Sequence, residues 1–335
     1  MNAVGTGSPD LFGSILAGVS RSFYLTIRVL PRKVRRPIAL GYLLARASDT
    51  LADSAGTALE ERLEALRSLA RALETEAAHG PVIPPGLRES VADPAERTLL
   101  DHIPLLLRYF HESAQADHDA LLRVLTTIIR GQELDLLRFE TPHPEPVTSL
   151  QNAAELDDYT YRVAGCVGEF WTRICFEHLP RYARRDENAM REPGIALGKG
   201  LQLVNILRDS PADLAKRRCY LPGDELATLG LTPGMLRTHP EAARPLFIHW
   251  SGVAKGHFRE ALVYLEAIRP WRLRFACFLP WAIGLRTLAL LEKHPPLETG
   301  HRVKVGRAEV RRLMLAGVRA CFSPSSLSAF FDQNT

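Results

Sequence analysis

The chain has 335 residues, 46% of them apolar and 24% charged, a composition that suits a soluble globular protein and is enough to bury a large core. Lys and Arg outnumber Asp and Glu by 42 to 38, a net charge of +4 that favours anionic partners only weakly. Five scattered cysteines without a Cys-x-x-Cys spacing exclude a disulfide framework or a zinc site and read as reduced residues of a cytosolic protein.

Apolar residues recur at i, i+3, i+4, and strand alternation with hairpin signals is absent, so the predicted fold class is all-α. The spacing predicts helices over 11–29, 35–54, 58–78, 96–110, 115–139, 151–178, 194–214, 241–268, 270–292 and 306–321. Pro/Gly-rich breaks separate them, the clearest at 80–86, 141–146, 221–223 and 294–296. None has the length or bias of an interdomain linker, and no repeat of fixed period is present. Residues 1–335 are therefore expected to form a single all-α domain, with about ten residues at each end peripheral. No Lys or Arg precedes the apolar stretch Leu11 to Val19, which argues against a secretory signal. The stretch Phe275 to Leu291 contains Pro280 and Arg286 and reads as a buried helix rather than a membrane span.

Basic residues cluster in Arg32-Lys33-Val34-Arg35-Arg36 and in Arg217-Arg218. No recognised motif or aromatic-interleaved stripe accompanies them, so they read as solvated helix ends or loops and no nucleic-acid partner is expected.

The first candidate group along the chain is Ser20-Arg21-Ser22-Phe23, two hydroxyls and a guanidinium within four residues. Such a group can hold phosphate oxygens through charge-assisted hydrogen bonds; a helix N-cap with an incidental arginine is the plainer alternative. Asp49 and Asp53 follow, four apart, and Asp209 and Asp213 repeat that spacing, which no other aspartates in the chain share. On a helix both members of such a pair lie on one face and repel each other unless a cation lies between them. Hard oxygen ligands suit Mg²⁺, with Mn²⁺ as an alternative, completed by water and substrate phosphate. One such pair is ordinarily a solvated face with ion pairs to neighbouring Arg. Here each pair closes a mostly apolar stretch, Tyr42 to Asp49 and Gly200 to Asp209, and carboxylates ending such helices face a cavity more readily than open water. The pairs suggest a diphosphate held by metal between two helices.

Between the pairs lies Tyr159 to Glu169. Gly165 and Gly168 interrupt its helical pattern, and each costs about 1 kcal/mol relative to Ala. Either another helix packs closely there, or the helix bends and opens a groove for an apolar ligand. Tyr159 offers a phenol that can donate or accept a proton, or is a core tyrosine with a satisfied hydroxyl. The segment Gly194 to Gly200 is superficially like a phosphate loop, but it lacks one spacer and the Ser/Thr after Lys199, and no strand precedes it. With no Gly-x-Gly-x-x-Gly after a strand, a nicotinamide cofactor would bind outside a Rossmann fold.

Taken in order, these segments resemble the squalene/phytoene synthase family, the head-to-head prenyltransferases of the isoprenoid synthase fold, a helical bundle around a central cavity. Ser20 to Phe23 is similar to the family's N-terminal diphosphate-binding signature. Tyr42, Arg46, Asp49 and Asp53 fall at the spacing of its first aspartate motif, and Tyr159 to Gly168 is similar to its Tyr-x-x-x-Val-Ala-Gly-x-Val-Gly segment. Gln202 to Asp213, then Arg218-Cys219-Tyr220, matches the second motif and its trailing Arg-x-Tyr. The first motif, Asp49-Thr50-Leu51-Ala52-Asp53, is nearer squalene synthases than phytoene synthases, which commonly have Asp-Asp there. Val303 to Val310 looks like a segment associated with NADPH use.

The resemblance implies a Mg²⁺-dependent enzyme that condenses two farnesyl diphosphates through presqualene diphosphate and reduces the product to squalene with NADPH. Stopping at presqualene diphosphate, hydroxysqualene, dehydrosqualene or phytoene is the alternative, and a non-catalytic assembly protein of the same fold is the remote one. It implies metal ligation by Asp49, Asp53, Asp209 and Asp213, and diphosphate contacts from Ser20, Arg21, Ser22, Tyr42, Arg46, Asn205, Arg208, Arg218 and Tyr220. Phe23, Val163, Gly165, Val167, Gly168 and Gln202 would line the prenyl pocket, and Lys304 and Arg307 would meet NADPH. Tyr159, or the departing diphosphate, would take the proton lost on cyclopropane closure. Phe23, Tyr42, Phe275 and Trp281 are candidates for stabilising carbocations, although core packing explains each of them as well. A cytoplasmic location is expected, with transient membrane-surface contact for greasy substrates and no obligate protein partner.

Overall fold

A computed structural model describes residues 10–20, 22–54, 56–75, 81–141, 147–299, 303–322 and 324–334, with the backbone alone at residues 22, 23, 25, 298, 299, 324 and 325. Chain contacts divide it into two compact units, Met1–Ile129 and Arg130–Thr335.

In the first unit a π-helical turn, Leu11–Ile15, runs into α1 (Leu16–Ser20) and is followed by α2 (Ser22–Val29), α3 (Arg32–Asp53), α4 (Leu59–Glu74), α5 (Pro85–Ser90), α6 (Pro94–Asp101) and α7 (Ile103–His111). The division between units falls inside α8 (Gln115–Glu140). α3 is the core helix: Val34, Leu43, Leu44, Ala47 and Leu51 are all buried to 1% or less exposure. It starts earlier than the predicted residue 35, because Pro31 takes the N-cap position and Arg and Lys are good helix formers. The single helix expected over 96–110 is two, broken at His102. Pro104 sits in the first turn of α7, where its missing N–H costs nothing; one helix through this point would place it in the interior.

The second unit continues with β1 (Thr148–Leu150), α9 (Ala153–Thr160), a π-helical segment Tyr161–Gly165, α10 (Cys166–His178), α11 (Glu187–Ala215), β2 (Arg218–Pro222) and α12 (Gly223–Thr228). Two 3₁₀ turns, Pro233–Arg237 and Pro240–Ala243, lead to α13 (Arg244–Ala267), α14 (Trp271–Lys293), α15 (Pro296–Thr299), α16 (Arg307–Ala320) and α17 (Pro324–Asn334). Among the described residues the only sheet is β1 beside β2, parallel, with Thr148 opposite Arg218 and Ser149 opposite Cys219. The fold is otherwise all-α.

α11 packs against α10, α13 and α14. It begins at Glu187 rather than the predicted 194, capped by the Asp186 carboxylate, which accepts from Ala189 N at 2.9 Å, and it runs through Pro193 and Pro211. A proline removes the bond to the carbonyl four residues back. For Pro211 that carbonyl is Leu207 O, and the Ser210 hydroxyl donates to it at 3.0 Å.

α14 is long and apolar enough to cross a membrane by length and composition, yet Leu273, Phe278, Trp281, Leu285 and Leu288 are fully buried in the unit. Two of its arginines are met as well: Arg286 pairs with Glu309, and Arg274 donates to the Ile268 and Cys321 carbonyls. The last ten residues, expected to be peripheral, instead form most of α17, because Leu327 and Phe331 are apolar enough to bury and Phe331 stacks on Trp281 at 6.0 Å. All five cysteines are free and buried.

Candidate active site

In the first unit, α3 from Pro37 onward is buried except along Tyr42, Ala45, Arg46, Asp49 and Asp53, which recur at helical spacing and so form one stripe. The Tyr42 hydroxyl donates to Val19 O at 3.2 Å, and its phenol pKa is raised, chiefly by burial, with Asp49 and Glu96 adding to the effect. Arg46 hydrogen-bonds to Glu96 and lies 4.0 Å from Asp49. Asp53 is exposed. Ser20 is buried, and its hydroxyl donates to Leu16 O at 2.5 Å. Arg21 lies outside the described residues, as do the side chains of Ser22 and Phe23.

The second unit gathers most of the other candidates around the end of α11. Gln202, Asn205, Arg208, Asp209 and Asp213 form its partly exposed stripe, with Asn205 donating to Gln202 Oε1 at 3.4 Å. Arg208 bonds both oxygens of Asp209, Nε to Oδ1 at 3.0 Å. After α11 the chain turns through Arg217, whose φ of 65° is left-handed and costs a non-glycine residue about 1–2 kcal/mol. That turn delivers Arg218 and Tyr220 on β2. The Tyr220 ring stacks on Tyr159 with centroids 4.7 Å apart, and its hydroxyl donates to Asp135 Oδ2 at 2.8 Å. Arg218 reaches Glu140 at 2.6 Å and Asp135 at 3.7 Å.

These contacts set the protonation states. Burial raises the Tyr159 phenol well above the usual range, and the Asp135 carboxylate adds to it; Tyr220 is raised for the same two reasons. Both are neutral phenols at ordinary pH. Burial opposes charge on Arg218, but Tyr220, Asp135 and Glu140 outweigh it and raise the guanidinium pKa. Asp213 is pushed up to about 6, first by burial and then by Asp209.

That last shift tests whether the residues fit a metal. A surface carboxylate satisfied by arginine has its pKa lowered; Asp213 is held in a place where a second negative charge is disfavoured unless a cation joins it. Among the described residues no three His, Cys, Asp or Glu side chains converge as a metal cluster. Each pair therefore offers two carboxylates, which suits Mg²⁺ completed by water and phosphate oxygens. Lys304 and Arg307 are both exposed and flank Gly306, the N-cap of α16, which makes no side-chain cap bond. Two cations at a helix start suit a phosphate group.

The glycines answer the question left open in the Tyr159 segment. A Cβ on Gly168 would stand 2.0 Å from Gly194 O, and one on Gly198 would stand 2.2 Å from Ala164 O. Gly165 is buried at the same seam, facing Ile195 and Lys199. The glycines let α10 and the π-helical segment lie backbone to backbone on α11, and Lys199 of the loop-like Gly194–Gly200 stretch pairs with Asp157 at 2.6 Å. Val163 is partly buried and Val167 exposed. Trp281 donates to Phe258 O at 2.9 Å from within an aromatic core and is a packing residue.

Sequence reasoning missed Asp135, Glu140 and Glu96, the acidic partners of Tyr220, Arg218 and Arg46. An acid in the mostly apolar stretch of α8 was the available signal.

A family profile described as squalene/phytoene synthase matches residues 16–309. A bifunctional lycopene cyclase/phytoene synthase of Phaeosphaeria nodorum is 31% identical over 89% of this chain and 48% of its own length. The squalene synthase of Schizosaccharomyces pombe is 23% identical over 88% of this chain and 62% of its own. The chain thus spans about half to under two thirds of these curated relatives. The solved structure of TcSQS with the ligand BPH1237 shares the fold, with a TM-score of 0.74 at 21% identity, covering 94% of this chain and 88% of that one.

Proposed function

The chain belongs to the squalene/phytoene synthase family, and from that premise we propose that it condenses two farnesyl diphosphates head-to-head through presqualene diphosphate and reduces the product to squalene with NADPH. Membership makes it a prenyltransferase-type enzyme of isoprenoid biosynthesis; the substrate, the product and the cofactors are the proposal. The observation that carries it is the end of α11, where Asp213 beside Asp209 has its pKa raised to about 6 while Arg208 and Arg218 stand near. This arrangement suits a divalent cation and a diphosphate together. Mg²⁺ held there supplies Lewis-acid assistance to a departing diphosphate, and NADPH supplies hydride.

The chain's own residues do the rest. Arg46, Arg208 and Arg218 offer planar donors to diphosphate oxygens. Tyr159 cannot wait as a phenolate, because burial and Asp135 keep it neutral. It can take the proton lost on cyclopropane closure only while passing its own to its hydrogen-bonded neighbour Tyr220. Tyr220 in turn gives its proton to Asp135 Oδ2, 2.8 Å away. Asp135 thereby becomes the terminal acceptor of a relay rather than a bystander.

The higher identity to a lycopene cyclase/phytoene synthase favours a second reading, condensation without reduction. Incubation with Mg²⁺ and farnesyl or geranylgeranyl diphosphate, with and without NADPH, followed by mass analysis, decides between them. Squalene only when NADPH is present supports the first; phytoene, dehydrosqualene or arrested presqualene diphosphate selects the second. No diphosphate release from either substrate by folded protein overturns both.

A further inference from the structure

The basic run read from the sequence as a solvated helix end lines a cavity. Within the first unit, a concavity of about 630 Å³ opens to solvent between α2, the start of α3, α7 and the turn before α1. Its charged lining is Arg28, Arg32, Arg35 and Arg36, and its rings are Phe12, Tyr24 and Tyr109. Its size falls in the range of small-molecule sites. Neither Asp49 nor Asp53 lines it.

Three observations distinguish it from a loose basic surface. First, three of the four arginines are held in place. The Arg36 guanidinium lies 4.9 Å over the Tyr109 ring and 5.9 Å from Phe12, and those rings meet edge to face at 5.8 Å. Arg28 stands 5.6 Å over Tyr24. Arg35 donates to Leu30 O from Nε at 3.2 Å and from Nη2 at 2.7 Å, and to Arg28 O at 2.7 Å. Stacked and tethered guanidiniums cannot splay apart to relieve their repulsion, and they need little ordering to bind.

Second, among the described residues no carboxylate is ion-paired with any of these four arginines. Third, Arg32, Lys33, Arg35 and Arg36 occupy the first turn and a half of a 22-residue helix, where the first turn holds no acid and the N-cap Pro31 makes no side-chain cap bond. The N-terminal end of a helix carries partial positive charge, so cations there are unfavourable by themselves. A concave wall focuses the combined field.

We propose that this cavity binds a multiply charged phosphoryl group, either a free diphosphate or a phosphomonoester at the head of a lipid. Arginine forks match phosphoryl oxygens, the unpaired N–H groups of the α3 terminus add donors, and the rings leave apolar wall for the organic part of an ester. The site is independent of the aspartate pairs and of any metal.

The full chain would be titrated calorimetrically with inorganic diphosphate in the presence of chelator, so that metal-bridged binding is absent. In parallel it would be tested for co-flotation with phosphatidylcholine vesicles with or without phosphatidic acid. Arg32→Gln/Arg36→Gln should weaken the interaction at least about tenfold, since two charge-assisted contacts are lost. Arg32→Lys, which keeps the charge but not the planar fork, should retain part of it. If losing the Arg36 stack unfolds the double variant, Arg32→Gln alone, at an exposed position, gives the answer. Its melting temperature should also rise in buffer free of phosphate and sulfate, because a cation leaves the positive end of α3, while diphosphate should stabilise the wild type more than the variant. Binding of soluble diphosphate identifies a free ligand, and binding of phosphatidic acid vesicles alone identifies a lipid head. Binding of neither, or binding that the arginine variants do not weaken, overturns the proposal.

Discussion

Asp213 titrates near pH 6 in the folded chain against an ordinary value of 3.8, so between those values the folded state holds a proton that the unfolded chain has released. Removing that proton in place costs stability. With metal chelated, the protein should therefore lose thermal stability as pH rises from about 4 to about 6 relative to Asp213→Asn, whose melting curve lacks this contribution. Parallel curves for the two would show that the carboxyl is not perturbed. The relay makes a second claim at this scale. Asp135→Asn and Tyr159→Phe should each slow turnover about a hundredfold or more, the ordinary worth of a positioned proton acceptor. The effect should fall on kcat more than KM, read by steady-state kinetics with farnesyl diphosphate; an unchanged kcat in Asp135→Asn removes it from the relay. These residues also show what a sequence can and cannot reveal. Asp209 and Asp213 stand four apart, and Arg218 and Tyr220 two apart, so their relation is local and legible. Asp135 is 85 positions from Tyr220, and Glu140 is 78 from Arg218; no spacing rule joins partners that only the fold brings together.

At the scale of elements, helix periodicity located the long helices, and the errors fell at prolines. The helix expected from 194 begins at Glu187, with Pro193 an interior residue of α11, while Pro104 begins a helix that had been read as continuing. Proline's steric rule is one-sided: it forbids one hydrogen bond, and a long, well-packed helix tolerates that loss. The seam of α10 on α11 gives the prediction at this scale. Gly168→Ala forces a methyl to within 2.0 Å of Gly194 O, and backbone cannot yield as a side-chain tip can. It should destabilise by about 3 kcal/mol, the upper end of ordinary overpacking. Gly252→Ala in α13 meets nothing within 4 Å and should stabilise by about 0.5–1 kcal/mol through helix propensity. Chemical denaturation of the two variants checks both signs. The two glycines look alike in sequence, since each interrupts a helical pattern, and only the neighbouring backbone separates them.

At the scale of the whole molecule, composition and periodicity sufficed for the all-α class, and the order of the motifs sufficed for the family. The end of the chain was misjudged because a short apolar segment after a break carries no sign of where it docks. Phe331, 3% exposed and stacked on Trp281, should cost about 3–5 kcal/mol when replaced by Ala, measured as a fall in denaturation midpoint; a change below about 1 kcal/mol would return α17 to the periphery.

The small parallel pairing of β1 with β2 has a consequence in time. Parallel strands cannot be closed by a tight turn, and Thr148 and Arg218 are separated by about 70 residues, most of them in α9, α10 and α11. Closures of that span come late, after local helices have formed. Tyr220 therefore reaches Asp135 only in the last stage, so a refolding population should regain helical circular dichroism before it regains turnover, with a measurable lag. Simultaneous recovery would mean that the strand pairing is not what completes the site.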